Sequence, residues 1–200
     1  EISHQKNLCE KWMNQWPVVF LSLKNVDGIH FSDAYQQLVY EISLLYQQHD
    51  NLLKSTALSD RDKFLFKQLQ ERQAGKTDIM RSLQFLTRLL EQHYGKKVIL
   101  LIDEYDVPLD KAFQYGYYDE MVSLIRNMFG NVLKTNSSLF FAVLTGCLRI
   151  AKESIFTGLN NFNVFSITSV QFDEFFGFTD DEVAEMLKYF GLSDYHETIR

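Results

Sequence analysis

The sequence predicts an α/β fold in which parallel strands alternate with helices. Three unbroken apolar runs, at residues 18–23, 98–102 and 139–144, have the continuous hydrophobicity of strands covered on both faces. Between these runs, apolar residues recur at three- and four-residue steps, which is the period of an amphipathic helix. Because strand, helix and strand follow one another, we expect parallel neighbouring strands joined by right-handed crossovers.

The helical stripes and two later segments complete the predicted order of elements. The stripes cover residues 35–46, 79–90 and 121–132, and each has one apolar face. A β-branched and aromatic stretch at residues 163–170 predicts a further strand. Thr179 has capping-box spacing to Glu182, which predicts a helix beginning within a residue or two of Thr179.

Composition limits the class of protein. A chain of 200 residues with 46% hydrophobic residues is long enough for one sizeable core. The formal charge of −6 repels phosphate backbones, so nucleic acid is not an indicated partner. No apolar run approaches the roughly 20 residues of a membrane span, and we expect a cytoplasmic protein. Cys9 and Cys147 lie far apart in sequence and are expected to be reduced, buried thiols.

Carboxylates follow the second predicted strand. In the stretch KKVILLIDEYDVPL, residues Asp103, Glu104 and Asp106 come at or just after the strand's carboxyl end, where open α/β sheets bind their ligands. In a nucleotide hydrolase, one such acid holds Mg²⁺ and another deprotonates the attacking water. Like charges this close repel each other unless a cation lies between them. A plainer alternative is that these acids are ordinary solvated side chains of a turn. This stretch alone does not exclude that alternative.

A glycine-lysine pair resembles a phosphate-binding loop only superficially. The motif needs a glycine five residues before Gly75, and that position is Gln70. The preceding QLQERQ has a helical composition, whereas the motif follows a strand. We expect one helix to end at Gly75 and the next to be capped by Thr77 or Asp78.

The end of the third predicted strand carries a second polar group. If the second and third strands are neighbours, Thr145 lies beside the carboxylates, where its hydroxyl can sense a γ-phosphate or the attacking water. Arg149 follows four residues later and can stabilise transition-state charge. A turn cap at Thr145 and a surface salt bridge at Arg149 are the plain alternatives, and both stay open.

Three motifs in one order resemble the bacterial AAA-ATPase-like family. They are LIDEYDVPL, LTGCLRIAKESIFTGLNNFNVFSI and FDEFFGFTDDEV. Members of this family carry a P-loop ATPase core, commonly followed by a restriction-nuclease-like domain. The resemblance implies a partial AAA-like P-loop NTPase core over residues 1–178, which lacks the P-loop strand. It also implies the start of a helical C-terminal extension at residues 179–200.

The resemblance implies ATP and Mg²⁺ as cofactors and gives roles to individual residues. Asp103 and Glu104 match the Walker B pair, as metal ligand and catalytic base, and Tyr105 with Asp106 matches the adjoining motif, with Asp106 a nucleotide contact. Thr145 and Arg149 match the region resembling sensor 1, and Asn160 and Asn161 match paired asparagines of unassigned role. Arg149 can serve its own subunit or a neighbour's nucleotide, so a homo-oligomer is a further expectation.

The resemblance also locates a missing part. The family's Gly-Lys-Ser loop lies upstream of its WPVVFLSLK-like strand, so the phosphate-binding half of the site is expected on a segment absent from these 200 residues. The chain begins without methionine, and we expect it to be a piece of a longer polypeptide. In sheets of this class the loop-bearing strand lies between the strand ending before Thr145 and the strand of residues 163–170. A gap in the sheet is therefore expected there.

The sequence leaves more than one function open. The first is Mg²⁺-dependent ATP hydrolysis, with the isolated chain weak or inactive. The alternative is a non-hydrolysing interaction or regulatory domain that keeps the ATPase fold. A metal-dependent nuclease built on Asp103, Glu104 and Asp106 is a weaker hypothesis, because it needs a lysine in the same site and a basic groove, and the acidic sequence indicates neither.

Overall fold

The computed structural model describes residues 4–147, 163–166, 169, 171 and 177–199. Two compact units are present, Glu1–Leu159 and Asn160–Arg200. The predicted functional boundary after residue 178 stays a prediction. Among the described residues, no helix is both long enough and apolar enough to cross a membrane.

Helices and strands alternate along the first unit. Their order is α1 (Lys6–Trp12), β1 (Val18–Ser22), α2 (Phe31–Gln48), a 3-10 helix (Asp50–Lys54), α3 (Asp60–Gln70), α4 (Lys76–Tyr94), β2 (Val98–Asp103), α5 (Val107–Tyr115), α6 (Tyr118–Lys134) and β3 (Leu139–Leu144). The three apolar runs form the three strands, and the three helical stripes lie in α2, α4 and α6. The α/β class is confirmed.

The strands form a parallel sheet with the order β1-β2-β3. Val19 pairs with Leu100, and Leu100 pairs with Ala142, so these three residues lie on the same face. That face belongs to a core shared with the apolar stripes of α2, α4 and α6, for example Leu38, Leu86 and Ile125. Hydrophobic burial between the sheet and these helices therefore stabilises the unit.

The opposite face of the sheet is apolar but exposed. Val18, Phe20, Phe141 and Val143 are between 37% and 53% exposed. Parallel sheets are normally covered on both faces, so the expectation of full coverage is wrong for the outer residues of β1 and β3 in the described part of the chain. In β1 the exposure follows strand alternation, since every second side chain points away from the helices, whereas in β3 a register irregularity leaves the consecutive residues Phe140 and Phe141 both exposed.

The glycine-lysine pair lies between two helices, which confirms that it is not a phosphate-binding loop. Helix α3 ends at Gln70, and Gly75 is the N-cap of α4. The Gly75 carbonyl accepts hydrogen bonds from the backbone N–H groups of Asp78 and Ile79, both at 3.0 Å. The expected helix end at Gly75 is wrong, because α3 already ends at Gln70. The expected cap at Thr77 or Asp78 is also wrong, because α4 begins at Lys76.

The predicted fourth strand is not present at residues 163–166. Instead, the Ser169 N–H donates to the Ser166 carbonyl at 2.8 Å, and the Ser166 N–H donates to the Ser169 hydroxyl at 3.0 Å. These bonds bring Ser166 and Ser169 closer together than an extended strand allows. Residues 167, 168 and 170 lie outside the described residues. Within the described residues, β3 is therefore an edge strand.

In the second unit, the predicted helix begins as its cap requires. Helix α7 (Asp180–Tyr189) starts directly after Thr179. The Thr179 hydroxyl accepts from the Glu182 N–H at 3.3 Å, and the Glu182 carboxylate accepts from the Thr179 N–H at 2.8 Å. A 3-10 helix (Ser193–Tyr195) and the short helix α8 (His196–Ile199) follow.

The cysteines are free thiols, as expected, but neither is buried. Cys9 is half-buried in α1, whose residues are all at least partly exposed, and Cys147 is exposed. Cys147 lies after the end of β3, where the chain has left the sheet. The prediction of two buried thiols is therefore wrong.

Candidate functional site

The carboxyl ends of the three strands meet at one edge of the sheet and bring a carboxylate and a hydroxyl together. Strand β2 ends at Asp103, and Thr145 follows the last residue of β3. Because Ile102 pairs with Leu144, the next residues on the two strands are neighbours. The Thr145 hydroxyl donates a hydrogen bond to Asp103 Oδ1 at 2.6 Å.

Backbone hydrogen bonds hold Asp103 from both neighbouring strands. The Leu23 N–H donates to the Asp103 carbonyl at 2.9 Å, on the β1 side. On the β3 side, the Thr145 N–H donates to the Ile102 carbonyl at 2.9 Å, and the Tyr105 N–H donates to the Thr145 carbonyl at 3.1 Å. The position of the Asp103 side chain is thus set by the central strand and by ladder bonds to both sides.

Glu104 leaves the sheet through a left-handed backbone conformation. Its φ is +54°, although it is not a glycine. This conformation costs an L-residue roughly 1–2 kcal/mol. Strand β2 already ends at Asp103, so the alternation of side chains along the strand does not extend to Glu104. Such backbone outliers are concentrated at functional sites.

Asp106 is buried rather than presented to solvent. Asp106 is only 3% exposed, and it is the N-cap of α5. Its backbone carbonyl accepts from the N–H groups of Leu109 and Asp110, at 3.0 and 2.9 Å. A Cβ atom built on Gly146 would lie 2.5 Å from Asp106 Oδ1, so the carboxyl group packs directly against the glycine backbone. Burial, and then the neighbouring Asp106, raises the pKa of Tyr105.

Sequence reasoning missed a hydrogen bond between the loop after β1 and the turn between α5 and α6. The Tyr117 hydroxyl, from the turn between α5 and α6, donates to the Gly28 carbonyl at 2.7 Å. A Cβ on Gly28 would lie 2.6 Å from Asp33 Cβ and 2.7 Å from the Ala34 nitrogen, so α2 packs against this glycine. The Asp27-Gly28 dipeptide is a turn signal that marks the position, but the tyrosine partner is distant in sequence.

The remaining candidate residues cannot be placed. Arg149, Asn160 and Asn161 lie outside the described residues. The structure joins Thr145 to Asp103 by a hydrogen bond and seats the Asp106 carboxyl group against Gly146, which belongs to the Thr145-Gly146 pair of the second motif, while Glu104 follows Asp103 in sequence.

The donor atoms at this edge fit Mg²⁺. No group of three or more His, Cys, Asp or Glu side chains is arranged to hold a metal within the part of the chain that the structure describes. Mg²⁺ does not need such a cage, because it binds through one or two carboxylates, substrate phosphates and several waters. The Asp103 carboxylate is a hard oxygen ligand of this kind, and the Thr145 hydroxyl orients one of its oxygens.

Comparison with known proteins identifies the family. The model of the family described as Predicted AAA-ATPase matches residues 2–156. A protein of Azotobacter chroococcum mcd 1, named "Uncharacterized protein in vnfD 5'region", is 32% identical over 90 residues, which are 44% of this chain and 17% of that protein. The matched region is thus a small part of that relative's length. No solved structure matches the chain. Since the family model covers more than half of the chain, the chain belongs to the predicted AAA-ATPase family.

Proposed function

We propose that this chain supplies the metal-binding and water-activating half of an ATPase site. The observation that carries the proposal is the hydrogen bond of 2.6 Å between Thr145 and Asp103 at the carboxyl edge of a parallel sheet, with Glu104 next in sequence. Ligands of open α/β sheets bind at this edge. Membership of the AAA-ATPase family supports ATP as the ligand.

Each polar residue has a separate task in this proposal. Asp103 holds Mg²⁺, which when bound neutralises charge on the β- and γ-phosphates. Glu104, the next residue after Asp103, accepts a proton from the attacking water. Thr145 donates to Asp103 and keeps that carboxylate in one orientation.

The phosphate-binding half must come from elsewhere. The 200 residues contain no Gly-x-x-x-x-Gly-Lys-[Ser/Thr] motif. We propose that an upstream segment carries it and adds a strand beside β3, which is an edge strand among the described residues. The exposed apolar face formed by Val18, Phe20, Phe141 and Val143 supports this proposal, because a helix of the added segment can cover it.

Substitution of Asp103 in the natural full-length protein tests the metal role. Asparagine keeps the shape of the side chain and an oxygen for the Thr145 hydroxyl, but it removes the charge that holds Mg²⁺. We expect Asp103→Asn to lower Mg²⁺-dependent ATP turnover by about a hundredfold and to raise the Mg²⁺ concentration needed for half-maximal rate. Asp119→Asn, an exposed substitution in the first turn of α6, is the matched control and should leave both quantities unchanged.

Two results would contradict the proposal. One is an Asp103→Asn variant that turns over ATP at the wild-type rate and Mg²⁺ requirement. The other is a wild-type full-length protein that neither binds nor hydrolyses ATP, which would favour a non-hydrolysing interaction or regulatory domain.

A further inference from the structure

The loops that follow β2 and β3 interlock at Asp106 and Gly146. A Cβ on Gly146 would lie 2.5 Å from Asp106 Oδ1, 2.9 Å from Asp106 Cγ and 3.0 Å from Tyr105 Cε1. Real Cβ atoms essentially never come closer than 3.0 Å to such atoms. Gly146 does not have the left-handed φ that also favours glycine. The requirement for glycine at position 146 is therefore steric, and the Asp106 carboxyl group imposes it.

This contact fixes the turn that carries Thr145. On one side of the turn, backbone bonds join Thr145 to Ile102 and Tyr105, at 2.9 and 3.1 Å. On the other side, the Asp106 carboxyl group lies against Gly146 and leaves it no space to move inward. The Thr145 hydroxyl, held between these contacts, reaches Asp103 Oδ1 at 2.6 Å.

We propose that Asp106 is a positioning residue for the site, not the nucleotide contact that the sequence predicts. Its carboxyl group, seated against the Gly146 backbone, holds the Thr145–Gly146 turn so that the Thr145 hydroxyl stays on Asp103. The burial of Asp106 supports this role, because a residue that is 3% exposed presents almost no surface to a ligand. The effect of Asp106 on catalysis rests on the proposed ATPase function, whereas its effect on the turn does not.

The arrangement also couples the site to a helix. Asp106 is the N-cap of α5, and its carbonyl accepts from two N–H groups of the first turn of that helix. Asp106 therefore joins the beginning of α5 to the segment that carries Thr145 and Gly146.

A double-mutant cycle on thermal stability tests the contact. Gly146→Ala should lower Tm because its methyl group collides with Asp106, and Asp106→Ala should lower Tm because it empties a packed space. The double variant should be more stable than the sum of the two losses predicts, because the methyl group introduced at position 146 enters the space that the carboxyl group leaves. Gly130→Ala is the matched control, since nothing lies within 4 Å of a Cβ at that position in α6, and it should not lower Tm.

Amide hydrogen exchange tests the effect on the turn without any need for activity. In Asp106→Ala, the N–H groups of Thr145 and Tyr105 should exchange at least about tenfold faster, while that of Leu100, in the centre of β2, keeps its rate. Asp106→Asn has the same shape as the wild-type residue and should retain slow exchange at both positions. A residue that only adds global stability would change all three amides alike.

Kinetics in the full-length protein test the effect on chemistry. Asp106→Ala should lower kcat for Mg·ATP by about tenfold or more, as loss of a supporting partner does in other sites, with little change in KM. Asp106→Asn should recover most of kcat.

The outcomes separate this proposal from the ATPase proposal. Additive Tm losses, or exchange that changes uniformly, would overturn the positioning role. Selective exchange with an unchanged kcat would also overturn it, since the turn would then not matter for the reaction. A wild-type protein without turnover, combined with a non-additive cycle and selective exchange, would remove the ATPase proposal and leave Asp106 as the residue that positions the turn.

Discussion

Glu104 combines an unfavourable backbone conformation with a charged side chain at the end of the central strand. Glycine adopts a φ near +54° without strain, whereas glutamate incurs a conformational penalty there. Stability alone would favour glycine at this position. The presence of a carboxylate instead motivates the hypothesis that its side chain has a catalytic task.

The strain at Glu104 gives a stability prediction that is independent of ATP. Glu104→Gly and Glu104→Ala both remove the carboxylate, but only glycine accepts the left-handed conformation freely. We expect the glycine variant to have a free energy of unfolding about 1 kcal/mol higher than that of the alanine variant, measured by urea denaturation. An alanine variant as stable as the glycine variant would show that the backbone at this position is not left-handed.

The residues of the site differ in how far sequence could predict them. The proximity of Asp103 and Thr145 follows from strand order, because the carboxyl ends of adjacent parallel strands share one edge. The steric dependence of Gly146 on Asp106 could not be predicted, since it arises from a close contact between two loops. The left-handed turn at Glu104 carries no sequence signal, because glutamate is not a residue that favours it.

At the scale of elements, local chemistry explains both the correct and the wrong predictions. Strands β1, β2 and β3 are unbroken apolar runs, and nothing competes with their burial. The predicted strand at residues 163–170 has similar β-propensity, but the Ser169 N–H donates to the Ser166 carbonyl and the Ser169 hydroxyl accepts from the Ser166 N–H. Propensity is a weak guide where serine side chains compete for backbone hydrogen bonds.

The capping box of α7 predicts that the stability of the start of this helix depends on pH. The backbone N–H and then the hydroxyl of Thr179 bond to the Glu182 carboxylate and hold its pKa below its usual value. A depressed pKa means that the stabilisation is present above the usual pKa of glutamate and is lost as pH falls through the lowered value. In Thr179→Ala we expect the Glu182 pKa, followed by NMR titration, to rise, because the hydroxyl bond is absent and the helix start loosens. A pKa that does not rise would contradict the capping arrangement.

At the scale of the whole molecule, the exposed apolar residues of β1 and β3 depart from the usual coverage of parallel sheets on both faces. Phe20 and Val143 are 53% and 44% exposed, although each pairs with Leu101 of the central strand and the other face of the sheet is buried. Burial of such a face is worth roughly 25 cal/mol per Å² of apolar area. The full-length protein therefore gains stability if a further segment covers it.

Thiol labelling measures whether that face is covered. In a background with Cys9 and Cys147 replaced by serine, Phe20→Cys, at a position that is 53% exposed, should react readily in the isolated chain and at least about tenfold more slowly in the full-length protein. Phe113→Cys, at a position that is 75% exposed on α5, is the matched control and should react equally fast in both. Equal reactivity of Phe20→Cys in the two proteins would mean that no added segment covers the sheet.

The central claim is that the acids after β2 form the water-activating part of an ATPase site, and one measurement addresses it most directly. ATP bound to the full-length protein is followed through a single turnover in wild type, in Glu104→Gln and in the exposed control Glu71→Gln. We expect wild type and control to convert ATP to ADP, and Glu104→Gln to bind ATP and retain it, with conversion slowed by about 10²–10⁴-fold. Conversion by Glu104→Gln at the wild-type rate, or absence of ATP binding in all three proteins, would contradict the claim.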